Sequence, residues 1–334
     1  MRCAAACLLA LAFACGTASS ALPASWAQPQ IRAAVGSGLM GPTVASFRAD
    51  AVLTRQDLAQ IVAGVTKREE VVTDPARPVT MSELNRSLVR ALGLAPAAAE
   101  VTAELRAEGL TPPSRVGWET VARLLGLRFN HPAERDYREL LPTDPATRAE
   151  AAYSVAQLLK LSGWDLERAN DLAAAFDVPP LTEWQRSVLR RAVRFVGFPY
   201  VWGGTSEERQ TLFGVTSRGG FDCSGFIWRV YRLEPWVSAP RLNATLRNRT
   251  AAGMAGEIPR RRIARARLRP ADVLFFGSRG TRSKPAEVIH AGIVMGGGWF
   301  VHSSRNGTTI APFEGWYETT FAWGRRPLAE AGLE

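Results

Sequence analysis

The segment VIHAGIVMGGGWFVHSS, residues 288–304, constrains the fold more than any other stretch, because two apolar runs flank three consecutive glycines. Such runs favour β-strands, and a three-residue glycine loop between them favours a β-hairpin. The predicted register pairs Met295 with Trp299. It places His290 and His302 on one face as diagonal neighbours, roughly 7 to 8 Å apart at the backbone. The sequence therefore predicts an antiparallel sheet that carries two imidazoles within reach of each other.

A cysteine lies at a predicted helix start in FDCSGFIWRVYRL, residues 221–233. The apolar residues recur with helical spacing, which puts Cys223 in the first turn, where backbone N–H groups and the helix dipole favour thiolate over thiol. A thiol nucleophile needs one imidazole to take its proton and a second group to orient that imidazole. His290 and His302 meet both needs. A zinc site with three protein ligands and a water is the alternative for the same three residues.

The first residues of the chain predict export. Residues 1–21 contain Arg2, then an apolar core, then small residues, which is the pattern of a secretory signal peptide and is too short for a membrane span. Lipidation at Cys15 is a minor alternative. The other three cysteines all lie in this segment, so the mature chain has one thiol, Cys223, and no internal disulfide.

The net charge of +10 is concentrated in residues 187–334, which carry 22 Lys+Arg against 11 Asp+Glu. This excess predicts an anionic partner. For an exported chain we expect cell-wall polymers or substrate carboxylates before nucleic acid. The densest stretch, PRRRIARARLRP at residues 259–270, is interpreted equally well as a solvated face or as a docking patch.

The chain reads as helices up to about residue 178, and its 334 residues are enough for roughly two domains. FDVPPL at residues 176–181 is the predicted boundary. Three helix starts carry a Thr followed three residues later by an acid, the pattern of a capping box. They are Thr54 with Asp57, Thr80 with Glu83, and Thr147 with Glu150.

Residues 26–62 resemble an S-layer-homology repeat, with an aromatic-led helix, a Gly-rich turn and a Thr-Arg start to a second helix. Residues 140–159 resemble the second half of another copy. In that family the arginine helps to bind anionic wall polysaccharide, so the resemblance implies this role for Arg55 and Arg148. Imperfect copies can still pack into one helical wall-binding region, predicted at residues 22–178.

The motifs PYVWGG, FDCSG, the PR of APRLN, RPADVLFF and HAGIVMGGGWFVH follow one another within residues 184–326. Their order resembles that of the NlpC-type cell-wall endopeptidases, a papain-like cysteine peptidase family. The resemblance implies an α+β fold, with a papain-like domain at residues 182–328 after the helical region, and a nucleophile at a helix N-terminus beside an antiparallel sheet. It implies Cys223 as nucleophile, His290 as general base and then acid, and His302 as the orienting third member.

The resemblance also implies roles around this triad. Tyr200 of PYVWGG is expected to assist the oxyanion, and Asp222 and Ser224 are expected to contact substrate. The family cleaves the bond between γ-D-glutamyl and a diamino acid in peptidoglycan stem peptides and requires no metal or organic cofactor. The chain is therefore interpreted as a secreted, cell-wall-associated endopeptidase. An amidase or acyltransferase of the same fold, or an inactive wall-binding protein, is the alternative.

Two features depart from the family pattern. Residues 205–220 stand where the family has a short connection, and they could cover or narrow the cleft. Ala271 of RPADV stands where the family usually has glycine, so we expect it to adopt a backbone geometry that glycine tolerates more easily.

Overall fold

The computed structural model describes residues 25–334. The predicted signal peptide and Cys15 lie outside the described residues. The first part of the described chain is helical, as predicted, and a 3-10 turn at Ala133–Arg138 interrupts it. No helix in the described part is long and apolar enough to cross a membrane. The helices up to the sheet are α1 (Gln28–Gly36), α2 (Arg55–Thr66), α3 (Met81–Ala91), α4 (Ala95–Ala107), α5 (Val116–Leu124), α6 (Arg148–Leu158), α7 (Gly163–Ala174) and α8 (Glu183–Val193).

Side-chain caps start several of these helices. At Thr54 and Thr80 the hydroxyl accepts the backbone N–H three residues later, and the acid at that position accepts the threonine N–H, which completes the predicted capping box. Thr147 caps α6 in the same way, but the Glu150 carboxyl group is buried and does not return the bond. Burial raises the pKa of Glu150 to about 7. The third predicted box is therefore only half formed.

A ring of backbone hydrogen bonds joins the segments that precede α2, α3 and α6. The N–H of Leu53 donates to the carbonyl of Ala146 at 2.8 Å, Ala146 donates to Val79 at 2.8 Å, and Val79 donates to Leu53 at 2.9 Å. The three segments thus meet in an approximate three-fold arrangement, although Met81 stands where the other two segments have arginine. The ring explains how these three segments form one packed helical unit.

The second part of the chain contains the predicted antiparallel sheet. Its strands are β1 (Thr205–Ser206), β2 (Gln210–Leu212), β3 (Val215–Ser217), β4 (Gly220–Phe221), β5 (Val273–Gly277), β6 (Val288–Gly296), β7 (Trp299–Ser304), β8 (Gly307–Pro312) and β9 (Phe321–Arg325). Its helices are α9 (Cys223–Trp228), α10 (Pro240–Asn243), α11 (Ala251–Gly256), α12 (Trp316–Thr320) and α13 (Pro327–Ala331). Five strands form one sheet in the order β8, β7, β6, β5, β9, and the short strands β1 to β4 pair in and beside the 205–220 insertion. The α+β class is confirmed.

The β6–β7 hairpin has the predicted register and a tighter turn. Ile293 pairs with Val301 in the alignment that the sequence predicts, but Gly296 rather than Met295 pairs with Trp299. The three glycines have φ of 108°, 54° and 81°, which L side chains rarely adopt, and this left-handed backbone permits the tighter turn. The irregularity lies at the turn, so the alignment along the rest of the hairpin is kept.

The helical region and the sheet pack on one continuous apolar core. A buried arginine of α5 joins them, because Arg123 donates to the carbonyls of Asn306 at 2.6 Å and Gly197 at 3.0 Å while it pairs with Glu119. The predicted boundary at residues 176–181 is followed by a further helix, α8, and the first strand begins only at Thr205. The two parts nevertheless share their interior across that point.

Ala271 adopts the geometry expected of it, with φ of +68°. A non-glycine residue in this left-handed region costs on the order of 1 kcal/mol. The buried Tyr231 hydroxyl donates to the Ala271 carbonyl, which holds the residue in this conformation.

Candidate active site

Cys223 is the first residue of α9, as predicted. Asp222 caps this helix by accepting the Gly225 N–H at 2.6 Å. The helix packs against β6 and β7, the two strands that carry the histidines. The half-buried thiol interacts with the backbone N–H of Ala291, the residue after His290. The fold therefore brings the nucleophile to the histidine hairpin.

The two histidines are bonded to each other, with 2.8 Å between His290 Nε2 and His302 Nδ1. Both rings are buried. For His290 Nδ1 to accept the thiol proton, His290 Nε2 must carry the hydrogen and donate it to His302 Nδ1. His302 then carries its hydrogen on Nε2, which lies 3.5 Å from the Tyr317 hydroxyl oxygen. Nδ1 of His290 is thus left for the thiol, and the hydrogen bonds at the other three imidazole nitrogens fix the tautomers of both rings.

Burial shifts the pKa values of Cys223 and His290 in opposite directions, each toward the neutral form. Burial raises the pKa of the Cys223 thiol to about 12, the Asp222 charge adds to this, and the N–H groups of Ser224 and Ala291 oppose it. Burial lowers the pKa of His290 to about 4. Desolvation thus opposes the resting thiolate expected from a helix N-terminus, which stays a prediction. The arrangement suits proton transfer during the attack itself.

The zinc alternative requires the same three side chains to converge on one point. In residues 25–334, no group of three or more His, Cys, Asp or Glu side chains is arranged to hold a metal ion. The facing nitrogens of His290 and His302 instead bond each other, so these two nitrogens are not directed at a common ligand.

Tyr200 lies beside the nucleophile. Its backbone forms a parallel bridge with Phe221, two residues before Cys223. Burial, and then the charges of Cys223 and Asp222, raise the pKa of the Tyr200 phenol. The hydroxyl thus keeps its proton at neutral pH and can donate a hydrogen bond to an oxyanion.

Asp222 and Ser224 do not have the exposure that the predicted substrate contact requires. Both are more than nine-tenths buried. Arg249 donates to the two carboxylate oxygens of Asp222 at 3.0 and 2.8 Å, to the Ser224 hydroxyl at 2.8 Å, and to the Gly203 carbonyl at 2.8 Å. Asp222 also accepts the Gly203 N–H at 3.0 Å. The prediction is corrected: this network holds the start of α9 against the PYVWGG segment.

A cleft of about 530 Å³ opens beside Tyr200 and His290. The helical region forms part of its wall, and no residue of the 205–220 insertion is in the lining. Arg305 is the one Lys, Arg, Asp or Glu among the described residues that line it. The lining residues are Tyr200, Trp202, Ile289, His290, Ser304, Arg305, Asn306, Trp316 and Tyr317 from the sheet part, and His131, Pro132 and Ala133 from the helical region.

The two arginines predicted to bind wall polymer have different environments. Arg55 lines an open groove of about 520 Å³ beside α2 and α3, together with two further arginines, Arg68 and Arg90, and two acidic residues, Glu69 and Glu70. Arg148 is buried, pairs with Asp57, and donates to the Phe47 carbonyl at 2.9 Å. Arg55 is therefore accessible to a ligand, whereas internal partners already occupy the guanidinium of Arg148.

Sequence reasoning missed Arg249 and Tyr317. Neither lies in a periodic run or at a motif spacing that points to the triad. The available signal for Arg249 was Asp222, because a carboxylate beside a buried helix start needs a donor or a cation. The sequence gave no signal for its position along the chain.

Comparison with known proteins identifies the second part of the chain. The sequence profile of the NlpC/P60 family matches residues 197–326. The chain is 30% identical over 123 residues to the murein DD-endopeptidase MepH of Escherichia coli, a match that covers 36% of this chain and 37% of that protein. It is 29% identical over 145 residues to the probable endopeptidase YafL of the same organism, covering 42% of this chain and 49% of that protein. The chain spans less than half the length of these curated relatives.

Among solved structures, the NlpC/p60 domain of the peptidoglycan hydrolase SagA aligns at 23% identity with a TM-score of 0.30, covering 42% of this chain and 97% of that chain. The family match includes Tyr200, Cys223, His290 and His302. The helix-start cysteine and the antiparallel sheet form the papain-like α+β fold that the sequence predicts. Residues 197–326 of this chain are a domain of the NlpC/P60 family.

Proposed function

We propose that this protein is a secreted peptidoglycan hydrolase that cleaves stem peptides between γ-D-glutamyl and a diamino acid. The proposal is carried by one observation, the packing of the helix that begins at Cys223 against the hairpin on which His290 and His302 are bonded. The names of two similar proteins support peptidoglycan as the substrate class. One relative is a murein DD-endopeptidase, and a Bacillus subtilis protein, 27% identical over 123 residues, is a gamma-D-glutamyl-L-lysine dipeptidyl-peptidase.

The reaction starts as the Cys223 sulfur attacks the peptide carbonyl and the thiol proton passes to Nδ1 of His290. The bond from His290 Nε2 to His302 stabilises the imidazolium that forms. The Tyr200 hydroxyl donates to the oxyanion. The amine of the diamino acid leaves with the proton from His290, and a water activated by His290 then hydrolyses the thioester.

The cleft suits an acidic peptide. Arg305 is exposed at the turn between β7 and β8 and lines the cleft beside Tyr200 and His290. Its guanidinium can form a bidentate pair with a substrate carboxylate. The D-glutamyl residue of a stem peptide has such a group, since its α-carboxylate is not part of the γ-linked chain.

The helical region is the proposed site of attachment to anionic wall polysaccharide. The accessible Arg55 groove, which contains two further arginines, supports this proposal. Salt-dependent binding is expected if charge pairing contributes.

A mass-spectrometric digest of L-Ala-γ-D-Glu-diaminopimelate tests the function, with the mature protein compared with Cys223→Ala. Release of L-Ala-γ-D-Glu by the parent only, unaffected by a chelator and abolished by iodoacetamide, would support the thiol peptidase. Loss of activity on chelation would support zinc instead.

The same experiment addresses the two alternatives. Products in which an added amine has captured the acyl group would indicate an acyltransferase, and release of ammonia from an amidated form of the peptide would indicate an amidase. A protein that binds peptidoglycan but cleaves neither the peptide nor the polymer would indicate the inactive wall-binding protein.

A further inference from the structure

The PYVWGG segment, residues 199–204, is held from two sides. On the side of the nucleophile, the Val201 N–H donates to the Phe221 carbonyl at 3.2 Å. On the other side, the Asn130 side chain bonds both backbone groups of Tyr200. Its amide donates to the Tyr200 carbonyl at 3.0 Å, and its carbonyl accepts the Tyr200 N–H at 2.9 Å. The Asn130 side chain thus makes the two backbone hydrogen bonds that a neighbouring β-strand would otherwise make with Tyr200.

A second residue of the helical region holds the same segment. Asp136, in the 3-10 turn, accepts the Trp202 N–H through Oδ2 at 3.0 Å. Asn130 and Asp136 are each 8% exposed, so water cannot readily replace either contact. Three backbone groups next to the nucleophile therefore depend on side chains that lie 70 and 66 residues earlier in the chain.

We propose that Asn130 and Asp136 are positioning residues for catalysis, which hold Tyr200 where its hydroxyl can meet the oxyanion. The helical region is then a working part of the active site as well as a candidate wall-binding region. The inference rests on the proposed function, since it concerns the transition state of that reaction.

The physical reason lies in the backbone of Tyr200. Without Asn130, its N–H and carbonyl lose their partners, and on that side only the Asp136 contact to the Trp202 N–H still holds the segment. The hydroxyl is at the far end of a rigid side chain, so a shift of about 1 Å at the backbone moves it out of hydrogen-bond range of the oxyanion. Substrate binding uses other lining residues, such as Arg305 and Trp316. We therefore expect kcat to fall more than KM rises.

The test is a double-mutant cycle in the full mature chain. Asn130→Ala removes both bonds to the backbone, and Tyr200→Phe removes the hydroxyl. We expect Asn130→Ala to lower kcat by about tenfold or more, with little change in KM, and to have no further effect on kcat in the Tyr200→Phe background. Equal losses of kcat in both backgrounds would show that Asn130 does not act through Tyr200 and would overturn the proposal.

Three further variants make the cycle robust. Glu104→Ala is the matched control, because Glu104 also accepts a backbone N–H from far along the chain, that of Val178 at 2.9 Å, and it does not line the cleft. We expect its kcat to equal that of the parent. Asp136→Ala removes one bond and provides a second test if Asn130→Ala does not fold. Asp136→Asn keeps an acceptor and should restore kcat.

Hydrogen exchange separates this inference from the proposed function. In Asn130→Ala we expect the Tyr200 amide to lose protection while the Ile293 amide in the sheet keeps it. Unchanged protection of the Tyr200 amide would refute the positioning role of Asn130, whatever the substrate is. If the Tyr200 amide loses protection in the variant but the parent protein cleaves no peptide, the contact between Asn130 and Tyr200 is supported and only the proposed hydrolase function is refuted.

Discussion

Acidification should destabilise the folded protein through its two triad histidines. Burial holds the pKa of His290 at about 4, and burial together with the neighbouring His290 holds the pKa of His302 well below its usual value. In the unfolded chain both groups titrate near pH 6.5. Between these values the unfolded chain binds protons that the folded protein does not. The free energy of unfolding therefore falls as the pH falls from about 6.5 to about 4.

The magnitude follows from the size of the pKa shift. For His290 the shift from about 6.5 to about 4 corresponds to about 3 kcal/mol. Glu150 acts in the opposite direction: burial raises its pKa to about 7, so the folded protein binds a proton that the unfolded chain has released. The difference between parent and His290→Gln cancels this effect, because both proteins contain Glu150.

The assay is urea unfolding followed by tryptophan fluorescence, for the parent and for His290→Gln, at several pH values from about 7 to about 4. Glutamine binds no proton in this range, so we expect the stability of the parent relative to the variant to fall by about 3 kcal/mol on acidification. A constant difference would refute the buried, neutral imidazole. A parent that gains stability relative to the variant would also refute it, because that sign requires a histidine whose pKa the fold raises without loss of the thiol proton.

Three other predictions concern single side chains. Arg305→Ala should raise KM about tenfold or more for a peptide with a free D-glutamyl α-carboxylate and leave KM unchanged for the amidated peptide; equal effects on both peptides would contradict the assigned role. Ala271→Gly should raise the free energy of unfolding by about 1 kcal/mol or less, measured in urea, because glycine relieves the left-handed backbone; a loss of stability would contradict this. Arg55→Gln should weaken salt-dependent retention on purified cell walls without changing peptide cleavage, whereas Arg106→Gln on the exposed face of α4 should leave retention unchanged; equal losses would refute a specific groove.

The positions of Cys223, His290 and His302 could be predicted because local patterns determine them. Helical spacing after the nucleophile is enough to place Cys223 at a helix start. The register of one hairpin is enough to place His290 and His302 on one face, since a slip of one residue would turn each side chain to the opposite face. The turn does differ from the prediction. The irregularity between Val294 and Gly296 absorbs that difference before it reaches the histidines.

The surroundings of the triad could not be predicted, because they depend on contacts between distant segments. Arg249 lies 27 residues after Asp222, and only the folded chain shows that it takes the carboxylate that was assigned to substrate. Asn130 lies 70 residues before Tyr200 and belongs to a region whose sequence indicates wall binding. The desolvation that opposes a Cys223 thiolate could not be predicted either, since a helix start can be identified from sequence but the burial around it cannot.

The ring of hydrogen bonds in the helical region explains how its binding motif can vary while its fold stays intact. The ring uses only backbone groups of Leu53, Val79 and Ala146, so the methionine at position 81 does not disturb it. Arg148, which keeps the motif residue, is occupied inside the protein. The region can therefore lose affinity for wall polymer and still supply the shared core and the contacts to Tyr200. The contacts of Asn130 and Asp136 to the PYVWGG segment are therefore independent of wall attachment, which the retention of Arg55 variants on purified cell walls tests separately.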